Sequence, residues 1–94
     1  MDKSKIKVAA ASSVPCVAGS IAYQLREHGA ATVQAIGAGA VNQSVKALIV
    51  ARGYMEVEGI TLTFKPSFTS IEIDGQDMTA IVFDAICTGG NHGS

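Results

Sequence analysis

A chain of 94 residues suits one domain; one of this size buries somewhat over ~60% of its unfolded surface and holds a net stability of about 5–10 kcal/mol. A formal net charge of −1, with 48% hydrophobic and only 16% charged residues, argues against a nucleic-acid binder driven by bulk charge. Two cysteines in unlike contexts, Cys16 and Cys87, exclude a disulfide framework and a cysteine metal spacing. No apolar run reaches membrane-spanning length and no secretory leader is recognisable, so a cytoplasmic location is expected.

Residues 1–5 are polar and expected to fray. Residues 6–10 alternate as a short strand with Ile6, Val8 and Ala10 on one face. Ser13 is a suitable N-cap and Pro15 fits the first turn, so a first helix is expected from there to His28. Its buried stripe would be Val14, Val17, Ile21 and Leu25, with Ala18 and Ala22 beside them. Arg26 and His28 suit its C-terminal end and Gly29 its stop. Residues 31–36 follow as a second strand, and strand-helix-strand in this order favours a parallel pair.

The stretch from Ile36 to Gly53 is the most informative part of the chain: strand end, glycine loop, helix, glycine stop. Gly37 and Gly39 flank Ala38 and free the backbone either to turn sharply or to approach a ligand. The helix N-terminus behind them carries unpaired N–H groups and partial positive charge, a setting that accepts phosphate. Neither a Walker loop nor the dinucleotide fingerprint is satisfied, since Asn42 stands where a third glycine would be needed. Within the helix, Val41, Val45, Leu48 and Ile49 form one stripe, expected to pack on the sheet. Ala40, Ala47, Val50 and Ala51 form a second small apolar face, read as a self-association surface, the alternative being alanines that only raise helix propensity. Asn42 and Lys46 share a polar strip at i, i+4 spacing.

Residues 54–59 read as an acidic connection containing Glu56 and Glu58. Residues 60–65 alternate as a third strand, and Pro66 requires a kink or a sheet edge. Ile71 to Ile73 resume the extended pattern, Asp74-Gly75 is a type I′ turn signal, and residues 78–87 return as a last strand, closing a long hairpin. Residues 88–94 are a glycine-rich tail with no assigned structure, which leaves one domain over residues 6–87.

The element order β-α-β-α-β-β, closed by a long hairpin, resembles the Alba-like topology: an α+β two-layer sandwich. The segment from Gln34 to Ala47 looks more specifically like the bacterial stage V sporulation protein S family. Val17-Ala18-Gly19, Ala51-Arg52-Gly53 and Ile73-Asp74-Gly75 before Thr79-Ala80-Ile81 support it, so that the resemblance runs over residues 6–86. It implies a cytoplasmic protein linked to sporulation, dimeric or higher assembly, and suspected DNA or RNA binding. Archaeal Alba proteins carry basic residues in the loops leading into both helices. Here those places hold Ile36-Gly37-Ala38-Gly39 and Ala11-Ser12-Ser13, so any binding is expected to be weak and sequence-tolerant.

The expected nucleic-acid surface comprises Lys7, Ser12, Ser13, Gly37, Ala38, Gly39, Asn42, Gln43 and Lys46, because two loop-to-helix junctions on one sheet edge are where open α/β sheets hold ligands. The competing reading of the lysines is solvated surface charge. A protein-interaction or scaffolding module without nucleic-acid affinity is the alternative function. It draws on the near-zero charge and the two-faced second helix, with self-association through Ala47, Val50 and Ala51. Catalysis is the least supported class. Cys16 sits near a helix start, but His28 is at the far end of that helix and His92 lies in the tail; Asp84 sits within an apolar strand. No cofactor and no metal site are expected.

Overall fold

The computed structural model describes residues 5–88, and the ends read from sequence as frayed, residues 1–4 and 89–94, lie outside the described residues. Six elements follow one another: β1 (Ile6–Val8), α1 (Val14–His28), β2 (Ala30–Ala35), α2 (Ala38–Val57), β3 (Thr61–Ile73) and β4 (Gln76–Thr88). The fold is α+β, two helices on a four-stranded mixed sheet of order β1-β2-β4-β3. β1 and β2 run parallel, as a βαβ unit requires, and β4 pairs antiparallel with both β2 and β3.

Local chemistry sets α1 as its sequence predicts. The Ser13 side chain accepts from the Cys16 N–H, a proline occupies the first turn, and Gly29 ends the helix in the left-handed conformation at φ 78°. Its inward face is Val17, Ala18, Ile21, Ala22 and Leu25, all buried, with Val14 packed at the margin. These meet Ala31 and Val33 of β2 and Phe83 and Ala85 of β4 in one core. Each large apolar side chain closed off there contributes about 1.5–3 kcal/mol.

Helix α2 departs from expectation in two ways. It does not stop at Gly53 but runs through it to Val57, so residues 54–57 are helix and not an acidic connection. A mid-helix glycine costs about 1 kcal/mol, which the complete burial of Met55 in the last turn outweighs. The Ile60 N–H bonds back to the Met55 carbonyl, and Arg26 of α1 holds Glu58 just past the helix end at 2.6 Å. The second departure is which face turns inward. Ala40, Ser44, Ala47, Leu48, Ala51 and Met55 are buried, whereas Val45 and Ile49 are 39% and 55% exposed. The small residues let α2 lie close against α1 and the sheet. Ala47 and Ala51 are therefore fully covered within one chain and are not available for self-association. Val50 is half-buried and packs against the same core.

Strand β1 ends at Val8; Ala10 lies in an exposed turn and does not extend the strand face. β3 is one unbroken strand through Pro66, which its edge position allows when the nitrogen faces away from β4. Asp74 and Gly75 both have positive φ (52° and 79°), the two-residue type I′ hairpin. β4 includes Thr88, placed in the tail by the sequence reading. Thirteen residues per strand span roughly 40 Å at about 3.3 Å each. β2 pairs only with residues 81–86 of β4, so the rest of the hairpin projects as an arm and accounts for a long axis of 48 Å.

Candidate nucleic-acid interface

β1 and β2 are parallel, so both hand over to their helices at the same sheet edge. Ser12 shapes the first junction: its hydroxyl accepts from the Ala9 N–H while its own N–H donates to the Ala9 carbonyl. Gly37 forms the second, at φ 94°, a conformation that disfavours any side chain. The junctions touch. A Cβ on Gly39 would lie 2.8 Å from the Cβ of Ala10, so only glycine permits this approach. Gln43 Nε2 donates to the Ser12 carbonyl at 2.8 Å and ties the two loops together.

Gly37, Ala38 and Gly39 are all exposed, and no side chain caps α2. The first amides of a 20-residue helix therefore face solvent at its positive dipole end. Asn42 and Lys46 are exposed on the first turns of the same helix. Ser13 is exposed at the start of α1. The structure thus gathers Ser12, Ser13, Gly37, Ala38, Gly39, Asn42 and Gln43 at one edge, with Gln43 committed to structure. Lys7 is set apart. It pairs with Gln34, and strand alternation puts both on the helix-free face of the sheet, as it does Lys65 opposite Asp84. Lys46 lies in the helix layer, so the three lysines do not converge within one chain.

The hairpin arm runs past the same edge. Between its tip and the ends of β1 and β2 lies an open cleft of about 600 Å³ bounded by Lys5, Lys7, Gln34, Ile36, Ile71 and Ile73. Of this set, the sequence reading singled out only Lys7. The one available signal is Gln34, a carboxamide inside an otherwise small and apolar strand.

Elsewhere the electrostatics are structural. Glu58 raises the Arg26 pKa, first through its hydrogen bond and then through its charge. Burial, then the Glu58 carboxylate, pushes the Cys87 thiol upward. Cys16 is a free, exposed cysteine. Asp84 accepts from the Thr32 hydroxyl at 3.3 Å, a cross-strand pair. Among the described residues no group of three or more His, Cys, Asp or Glu could hold a metal ion. No helix among them is long and apolar enough to cross a membrane.

The family described as stage V sporulation protein S (SpoVS) matches residues 4–88, nearly the whole chain and every element of the fold. The resemblance drawn from the glycine loop and α2 is thereby established over the full domain: the chain belongs to the stage V sporulation protein S family, whose name ties it to sporulation.

Proposed function

We propose that this sporulation-associated protein is a weak, sequence-tolerant nucleic-acid-binding module, and that it acts in the cytoplasm as a dimer or tetramer. The observation that carries this reading is the contact between the two helix-leading loops, which sets an uncapped helix N-terminus beside the serine turn on one exposed edge. Exposed backbone amides bind phosphate oxygens without reading bases, and Asn42 and Lys46 extend the surface along α2. Three or four phosphate contacts per subunit give a log-affinity against log-salt slope near −3, and a dimer about twice that.

Fluorescence titration of a labelled duplex and a labelled single strand at low salt tests it. Binding is expected to fall steeply with salt and to weaken several-fold in Lys46→Ala, whereas Lys7→Ala, on the helix-free face, should change it little. Salt-independent binding, or binding unchanged in Lys46→Ala, rejects the reading.

A protein-interaction role draws on a separate observation. Val45 and Ile49 form an exposed apolar strip on α2, and Phe68 is 78% exposed at the root of the arm. Self-association through α2 would use Val45 and Ile49 in place of the alanines. Sedimentation of Ile49→Asp against the parent chain tests this: a strict monomer before substitution removes its basis.

A further inference from the structure

The cleft under the hairpin tip has a composition that the phosphate-binding edge does not explain. Its volume of about 600 Å³ lies within the range of small-molecule sites. Ile36, Ile71 and Ile73 supply aliphatic walls from two separate segments, and Lys5 and Lys7 supply positive charge along one side. Lys7 is the strand neighbour of Gln34. Gln34 itself is only 8% exposed, and its carboxamide makes no hydrogen bond to any described residue, although it lines the cleft. The polar atoms of that amide still reach water in the cleft, so an occupant has to replace this water, and one that presents matching groups is favoured over one that does not.

We propose that this cleft binds a nucleoside monophosphate. A carboxamide needs a partner presenting a donor beside an acceptor, which the edge of a nucleobase provides to glutamine in bidentate fashion. Either orientation of the Gln34 amide can be matched by such an edge. A planar base fits between the isoleucine walls, and the phosphate pairs with Lys5 and Lys7. An acyl chain would fill the walls but leave Gln34 unpaired. An inorganic anion would use the lysines and leave the walls wet. Glu72 also lines the cleft and disfavours a ligand that is anionic at both ends. The site is contiguous with the loop edge through Ala10, yet its chemistry stands whether or not the chain binds a polymer.

Amide-resolved NMR titration of the full chain with adenosine and guanosine monophosphate tests it, with ribose 5-phosphate and inorganic phosphate as controls. The expected result is saturable shifts at the Gln34 side chain and at the Lys7, Ile36 and Ile71 amides, with both controls at least about tenfold weaker. Gln34→Leu, close in volume, should weaken nucleotide binding by about tenfold or more. Ile71→Glu, on the arm and away from the core, should abolish it even if Gln34→Leu perturbs the sheet. The proposal is overturned if the controls bind equally well, if shifts saturate only at residues 37–42, if no shift saturates, or if Gln34→Leu binds as the parent does. Oligonucleotide titration in parallel separates the two readings. Polymer binding that survives Ile71→Glu leaves the loop edge standing without the cleft, and nucleotide binding without polymer binding does the reverse.

Discussion

The same two strands, β3 and β4, pass through two regions that follow opposite rules. In the body, α1 and α2 cover one face, and Leu62, Phe83 and Ala85 are buried there. From the last rung shared with β2 outward the alternation continues without a helix to meet it: Phe68, opposite Ile81, stands 78% exposed, and Ile73 and Met78 further out are also uncovered. Strand pattern alone therefore does not create a core; a second layer does. The body is held by long-range packing, while the arm is held by its ladder and a two-residue turn.

The sharpest test is a matched pair of truncations. Leu48→Ala in the body should lose about 2–5 kcal/mol in urea unfolding. Phe68→Ala at the root of the arm should change stability by no more than about 0.5 kcal/mol. Similar losses at both sites would show that the arm's apolar surface is covered in solution and would break the comparison. The contact between the two helix-leading loops of the body comes next. Gly39→Ala forces its Cβ onto Ala10 and should cost about 1–3 kcal/mol. Adding Ala10→Gly removes the offending atom and should restore most of that loss in a double-mutant cycle.

A smaller effect is expected at the tip. Gly75→Ala places a side chain at φ 79° and should cost about 1–2 kcal/mol locally. Faster amide exchange confined to residues 70–79 would show the arm opening on its own, whereas uniform acceleration would merge it with the body. The smallest concerns pH. Because burial raises the Cys87 pKa, the folded state holds that proton where the unfolded chain releases it. Stability is complete below the ordinary thiol range and declines as pH rises from there through the folded value. Cys87→Ala should flatten that decline in unfolding curves, and iodoacetamide should label exposed Cys16 before Cys87.

What the chain announced locally, it delivered. Ser13, Pro15 and Gly29 act through their own backbone, so α1 is readable from neighbours in sequence. Asp74-Gly75 is readable for the same reason. α2 was not, because its inward face is set by how closely α1 lets it approach. The bulkier stripe of Val45 and Ile49 attracts notice in a helical projection, yet the narrow space takes alanine and serine. Gly53 likewise reads as a stop until Met55 is seen anchored beyond it. The loop edge of the candidate site was visible as two helix starts after parallel strands. The cleft was not, since Ile71 lies 37 positions from Gln34 and only the sweep of the arm joins them.

Pro66 carries a consequence for the life of the molecule in a crowded cell. An outermost strand of thirteen residues would otherwise offer neighbouring copies an unbroken rail on which to stack without limit. A ring in place of an amide hydrogen, set opposite Phe83 just before the arm leaves the body, is one of the devices by which an outer strand is made a poorer template for such growth.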